Sequence, residues 1–330
     1  MAREFTVTAA GNFEEKNVLQ RRRGGDLSPD TEAILLKLFR MRYGPHSLPE
    51  DAFPPARSAE DAQAMAWPGR VPPVTDTKII VSWNALVVSG LAWCYRAFNV
   101  NGYLQLAIAA ADALWRRQIV NNRLHRLNYE GRPAIPAQAE DYAFLIAAYL
   151  DLHLASCELG TVYLERAIAL QTEMDGRLWD AQTGGYFNTA ADAATGLLLR
   201  EKSYQDGATP SPNGVALTNL VRLGALTGET YYLERAEQGL QTFGDAIAQM
   251  AAACPSLVGA LDWSRHFTTV KAPIATWLRL QTTYQPTAIA TVVSAPAATV
   301  CPGFSCLGPV ATWEELQTQL AIAQQRELAP

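Results

Sequence analysis

Apolar residues recur at intervals of three and four along much of the chain, the spacing of one face of a helix. One stripe runs through Trp83, Leu86, Val87, Gly90, Leu91, Cys94 and Phe98. A second runs through Tyr142, Leu145, Ile146, Tyr149, His153 and Ser156, and a third through Ala216, Leu220 and Leu223. Each ends at a turn (Asn101-Gly102, Leu159-Gly160-Thr161, Thr227-Gly228-Glu229) and is followed by a related segment: Tyr103-Leu104-Gln105-Leu106-Ala107, Tyr163-Leu164-Glu165-Arg166-Ala167 and Tyr232-Leu233-Glu234-Arg235-Ala236. These segments carry stripes of their own, Tyr103, Leu106, Ala110, Leu114 and Leu233, Ala236, Leu240, Phe243, Ile247. The pattern predicts a helix, a short turn and an antiparallel helix, three times over. The repeated tyrosines are 60 and 69 residues apart, nearly double the ~34 residues of a tetratricopeptide repeat. An all-α fold is therefore expected, a partial α/α toroid in which the first helix of each hairpin lines a cavity.

The links between hairpins predict short β-hairpins. Arg123 to Pro136 has Glu130-Gly131 as its turn, a sequence suited to a tight connection. Gly184-Gly185-Tyr186-Phe187 to Asp206 offers a second, with Leu197-Leu198-Leu199 as the returning strand. Residues 1–75 form an N-terminal segment. It contains one helix capped by Ser28, opened by Pro29 and striped by Ile34, Leu35, Leu38 and Met41. A Pro- and Ala-rich linker follows from Pro45 to Pro73. Residues 76–270 are the toroid segment. Residues 271–330 are an appendix, with a strand at Thr287–Val293 and a closing helix at Trp313–Gln324.

Composition narrows the function classes. The 330 residues are 49% hydrophobic and 18% charged, with a formal net charge of -5, the profile of a globular chain. The densest basic run, Arg21-Arg22-Arg23, is too short to track a nucleic-acid backbone, so no nucleic-acid partner is expected. Pro286, Pro296, Pro302 and Pro309 interrupt the one long uncharged stretch, so no membrane span is expected. The N-terminus lacks the apolar core of a signal peptide, and five cysteines do not make a secreted disulfide framework. A cytoplasmic setting is the default.

Polar residues gather where each first helix begins: Asp76, Lys78, Ser82, Trp83 and Asn84; Glu140, Asp141 and Tyr142; Asp206, Ser211 and Asn213; and, further on, Asp262-Trp263. If those helices run parallel, the groups share one rim. Carboxylates beside aromatic rings suit a sugar: rings stack on its C–H face, and carboxylates bind hydroxyls or transfer protons. Asp141, Asp206 and Asp262 are the acid/base candidates. Trp83 and Tyr142 are the stacking candidates, with Asn84, Glu140, Ser211 and Asn213 as hydroxyl-binding groups. Ser, Asp and Asn at helix starts are also the usual N-caps, and a Trp or Tyr heading an apolar stripe is often core. His46, His125, His153 and His266 are scattered without metal-ligand spacing, so no zinc hydrolase is indicated. His153 reads as a hydrogen-bonded core histidine. Cys301 and Cys306 are half a zinc site at most, so neither a metal nor a cofactor is expected. A facultative disulfide or two thiols fits that spacing better.

The same motifs carry a resemblance. Gly11-Asn12-Phe13-Glu14-Glu15-Lys16-Asn17, Lys78 with Ser82-Trp83-Asn84, Glu140-Asp141-Tyr142-Ala143, Leu178-Trp179-Asp180 with Gly184-Gly185-Tyr186-Phe187, Asp206-Gly207-Ala208-Thr209-Pro210-Ser211 with Asn213, and the Cys301/Cys306 pair stand in the order of a known family. It is that of the thioredoxin-domain proteins of the spermatogenesis-associated, thioredoxin-like type. Within these blocks Thr77, Ala85, Glu140 and Pro212 depart from the family pattern. The resemblance implies a six-hairpin, glycosidase-like toroid, with the thioredoxin domain and first hairpins of the family lacking here. It implies a carbohydrate-binding or carbohydrate-processing domain, or else a catalytically silent half of a split toroid. Three hairpins would leave raw apolar edges at the Trp83 and Phe243 helix pairs. Self-association, or pairing with a separately encoded half bearing the thioredoxin domain, is the expected consequence.

Overall fold

The computed structural model describes residues 2–43, 76–193 and 196–326; the side chains of 41–43 are not among those described. The chain forms two compact units, Met1–Thr77 and Lys78–Pro330. In the first, helix α1 (Pro29–Tyr43) opens as the sequence predicts, with the Ser28 hydroxyl accepting the Thr31 amide at 3.3 Å. The Gly11-Asn12 motif forms a loop, in which the Asn12 amide donates to the carbonyls of Thr6 (2.7 Å) and Val18 (2.8 Å). The predicted linker from Pro45 to Pro73 lies outside the described residues.

The second unit is predominantly helical and is an arc of an α/α toroid. Strand β1 (Ile79–Ile80) leads into α2 (Val81–Phe98), which turns into α3 (Asn101–Gln118). Strands β2 (Ile119–Val120), β3 (Arg123–Tyr129) and β4 (Arg132–Pro136) follow. β3 pairs antiparallel with the other three. Its turn to β4 has both Glu130 and Gly131 at positive φ (49° and 83°), the conformation that makes a Gly at the second position favourable. Then come α4 (Ala139–Ala155), α5 (Val162–Leu178), α6 (Pro212–Thr227) and α7 (Thr230–Thr242). The three hairpins α2/α3, α4/α5 and α6/α7 are the predicted ones. The second predicted β-hairpin does not form: Leu198 and Leu199 lie fully exposed in a loop. Among the described residues of this segment, Trp179 and Tyr186 make an isolated bridge, and no strand lies alongside the three leucines.

The first helices of the hairpins run parallel as inner helices. The Ser82 amide, at the start of α2, donates to Asp141 at the start of α4. Asn219 of α6 donates to the Ala143 carbonyl of α4 at 2.7 Å. α4 is enclosed on almost every side, by α2, α5 and α6, and its buried Tyr142, Leu145, Tyr149 and Leu152 form the centre of the core. In α2 the buried face is Val81, Ala85, Val88 and Ala92. The predicted stripe lies elsewhere: Trp83, Val87 and Phe98 are 60%, 59% and 68% exposed, with Trp93 at 46%. Both faces of α2 are apolar, and small residues are chosen inward because α4 packs closely there.

The other edge is covered. After α7, α8 (Gly244–Met250) leads to a fourth inner helix, α9 (Pro255–His266), which packs along α6. Leu240 and Phe243, expected at a raw edge, are buried. The chain closes with β5 (Thr268–Ala272), α10 (Ile274–Gln281), β6 (Ala288–Val292), β7 (Thr299–Pro302) and α11 (Trp313–Ala323). β5 lies between β6, parallel to it, and β7, antiparallel. Trp277, Leu280, Val300, Leu316 and Leu320 give this part a small core of its own, and the predicted strand and closing helix are both present. Cys301 and Cys306 form a disulfide.

Candidate functional site

The parallel inner helices bring the predicted polar groups to their N-terminal ends, in two clusters. The first surrounds Asp141, which is 0% exposed. It stands at the third position of α4 in a capping box: the Gln138 side chain accepts the Asp141 amide, and the Asp141 carboxylate accepts the Gln138 amide at 2.9 Å. The Ser82 amide (3.2 Å) and the Arg126 guanidinium (3.0 Å) bond the same carboxylate. Burial raises its pKa, and Arg126 and the Gln138 amide offset this only in part. Glu140 pairs with the same Arg126. Asp141 thus holds the start of α4 to α2 and β3. Tyr142 is core, 1% exposed, with its hydroxyl donating to Glu173 at 2.8 Å; its ring presents no face to a ligand. Asn84 donates to the Ile80 carbonyl of its own helix entry at 2.9 Å, and Trp83 points into solvent beside it.

The second cluster joins α6 and α9. One oxygen of Asp206 accepts the Ser211 amide at 3.2 Å; the other accepts the amide (3.1 Å) and hydroxyl (2.6 Å) of Ser256. Ser211 caps α6 through the Gly214 amide at 3.1 Å. Asn213 is wholly buried and clamps the entering loop, accepting from the Tyr186 amide (2.7 Å) and donating to the Tyr186 (3.0 Å) and Ser203 (2.8 Å) carbonyls. Asp262 lies further along α9, bound by Arg326 at 2.8 and 3.0 Å and by His266 at 2.8 Å. Burial works to raise its pKa, but Arg326 and His266 outweigh it and hold the carboxyl low.

A groove of about 260 Å³ runs between α6 and α9, floored by Ala147 of α4. Pro210, Gly214 and Ser256 line one end; Thr218, Asn219, Arg222, Gly259 and Trp263 line the rest. Of the sequence candidates, Asp206 is the carboxylate that adjoins it, through Ser256; Asp141 and Asp262 are not among its lining residues. The lining itself holds no carboxylate. Asn219 is 0% exposed, and while its amide nitrogen is bonded to Ala143, its Oδ1 has no hydrogen-bond partner among the described residues. A buried acceptor left unmet costs about 1–3 kcal/mol, so this atom is poised for a donor. Thr218, Asn219 and Arg222 were missed from the sequence because they sit mid-helix, within an apolar pattern, away from any motif. Thr218, Asn219 and Arg222, polar residues set at helical spacing into that apolar pattern, were the available signal.

No protein-family model matches the chain. The chain is homologous to spermatogenesis-associated protein 20. It is 36% identical to the human protein over 203 residues, 58% of this chain and 26% of that one, and 36% identical to the rat protein over 197 residues, 57% and 25%. An uncharacterized protein of Caenorhabditis elegans is 30% identical over 226 residues, 64% of this chain and 30% of that one. The matches thus span only about a quarter to a third of these curated relatives. Among solved structures, a GH76 α-mannanase of Bacteroides thetaiotaomicron is similar with a TM-score of 0.44 and 16% identity, over 58% of this chain and 54% of that one. A cellobiose 2-epimerase of Bacillus thermoamylovorans is similar with a TM-score of 0.41 and 14% identity, over 51% and 45%. No helix among the described residues is long and apolar enough to cross a membrane.

Proposed function

We propose that this chain is a carbohydrate-binding segment of an α/α toroid, and that the α6–α9 groove holds a single sugar. The observation that carries the reading is the groove lining, where Asn219, whose buried Oδ1 has no hydrogen-bond partner among the described residues, stands with Trp263. An indole face packs on the C–H face of a pyranose, and the Asn219 oxygen accepts from a hydroxyl of the same ring. Thr218 and Ser256 supply further hydroxyl partners. Asp206, behind Ser256, is the carboxylate placed to serve as an acid or base if the bound sugar is also turned over. Binding has firmer support than hydrolysis, since two carboxylates facing one another across a glycosidic bond are the usual requirement and the groove lining has none. The cytoplasm is the proposed setting. Titration of the purified chain with a panel of monosaccharides, followed by the ¹⁵N–¹H indole signals, tests the reading. A saccharide should shift the Trp263 signal, and Trp263→Ala should abolish binding. A panel that moves no indole signal would overturn it.

A second reading is favoured by the apolar face of α2. Trp83, Val87, Trp93 and Phe98 lie open, while the three candidate carboxylates are all engaged in caps or ion pairs. On this reading the chain is a silent scaffold. Its α2 face is the seam for further toroid helices, belonging to the large part of the relatives' length that these residues do not match, the thioredoxin domain included.

A further inference from the structure

Arg222 lies at one end of the groove, donating through Nη2 to Asp151 of α4 at 2.6 Å. Asp151 is 4% exposed, and its second oxygen accepts from the Ser89 hydroxyl of α2. A second guanidinium, Arg96, stands in the field of the same carboxylate, favoured by Asp151 and opposed by Arg222. Arg96 is seven residues beyond Ser89, on the same face of α2. Long side chains on a helix lean toward its N-terminus, here toward Ser89 and Asp151. Its Nε is buried with no hydrogen-bond partner, and its guanidinium forms no ion pair among the described residues; it rests on the Trp93 ring at 4.3 Å. One carboxylate therefore answers two guanidiniums, which leaves one positive charge in excess where water is scarce. Burial pushes the Arg96 pKa down to about 10, in keeping with a cation that has too few partners.

We propose that this surplus charge selects an acidic sugar, whose oxyanion is met by Arg222 at the end of the groove while its ring lies against Trp263, with Arg96 adding its charge from the far side of Asp151. The oxyanion is the carboxylate of a uronate or the phosphate of a sugar phosphate. This inference rests on the sugar-binding reading of the groove. Trp263 lies eight residues into α9 and Arg222 ten into α6, two parallel helices tied together at their starts by Asp206, so ring platform and charge share one end. The guanidinium fork matches the geometry of both oxyanions. Asn219, one turn before Arg222, takes a hydroxyl of the same ring. A volume of about 260 Å³ suits one such residue better than a long chain.

The test is calorimetric titration of the chain with glucose, glucuronate, glucose 6-phosphate and inorganic phosphate, with the Trp263 indole signal read in parallel. Glucuronate or glucose 6-phosphate should bind about tenfold or more tightly than glucose, the gain of one charge-assisted hydrogen bond, and the stronger of the two names the oxyanion. Arg96→Gln, which removes no hydrogen bond seen among the described residues, should bring that ratio below about threefold. If glucose binds as tightly as both acidic sugars, the oxyanion inference fails and the groove reading stands. If none of the sugars moves the Trp263 signal, both fail. Inorganic phosphate binding as tightly as glucose 6-phosphate, and surviving Trp263→Ala, would place the anion site outside the groove and overturn the inference.

Discussion

The carboxylate of Asp206 lies 2.6 Å from the hydroxyl of Ser256, fifty residues away, and the same oxygen accepts the Ser256 amide. Through its other oxygen Asp206 also holds the Ser211 amide. One side chain thus anchors the starts of two inner helices and sets one end of the groove between them. Asp206→Ala removes all three bonds and should cost about 2 kcal/mol, near 1 for each helix start, measured by urea unfolding. If Asp206 also transfers a proton to a bound sugar, Asp206→Asn should lower turnover about 10²-fold or more at a smaller loss of stability. Wild-type turnover in Asp206→Asn would confine the residue to its structural role.

Asp141→Asn gives a sharper structural test. The buried carboxylate accepts from two amides and Arg126, and an amide in its place turns a donor toward donors. Breaking a buried ion pair costs about 3–5 kcal/mol, here reduced because Glu140 still faces Arg126. A loss of about 2–3 kcal/mol is expected, by chemical denaturation. A change within about 0.5 kcal/mol, the scatter of surface substitutions, would contradict the buried-pair account.

Gly214 lets α6 and α9 approach closely. A Cβ there would meet Ser256 Cβ at 2.4 Å and its carbonyl carbon at 2.6 Å. Gly214→Ala should push the two helices apart, cost about 1–3 kcal/mol as overpacking does, and weaken any groove ligand. Unchanged thermal stability together with unchanged ligand affinity would mean that the helices do not meet there.

Acid should loosen the Gly184-Gly185 turn. Asp180 is bonded by Lys202 (2.7 Å) and Thr183 (2.7 Å), with Lys202 the larger influence, and its carboxyl is held well below the usual range. A folded-state pKa below the unfolded value stabilises above the unfolded pKa, about 3.9, and that stability is lost as pH falls through the folded value. Asp180→Asn should therefore show a smaller loss of stability than wild type between pH 5 and pH 2, a window set roughly by that depressed pKa. Parallel acid limbs for the two proteins would refute the assignment.

The α2 face makes a prediction about association. Exposed apolar patches of this kind mark interaction sites. The chain alone should bind a hydrophobic dye and sediment in a concentration-dependent way, and the double substitution Val87→Glu/Phe98→Glu should suppress both. A strictly monomeric chain that binds no dye would remove the seam reading.

The sequence by itself determined the helical hairpins, the turn at Glu130-Gly131, the Ser28 and Ser211 caps and the closing helix. Each of these is set by residues within a few positions of one another, through helical periodicity, positive φ or a local hydrogen bond. Which face of a helix is buried is a different kind of question. α2 offers apolar residues on two faces, and only the approach of α4 decided that Val81, Ala85, Val88 and Ala92 go inward while Trp83 and Val87 stay out. The pairings Asp206–Ser256, Asp151–Arg222 and Asp141–Arg126 join residues brought side by side by the parallel inner helices and the β3 strand. Tertiary structure likewise turned the most conspicuous motif carboxylate, Asp141, into a buried brace. It made a groove of Asn219, Arg222 and Trp263, because a cavity is a property of neighbouring surfaces and no local pattern in one chain segment encodes it.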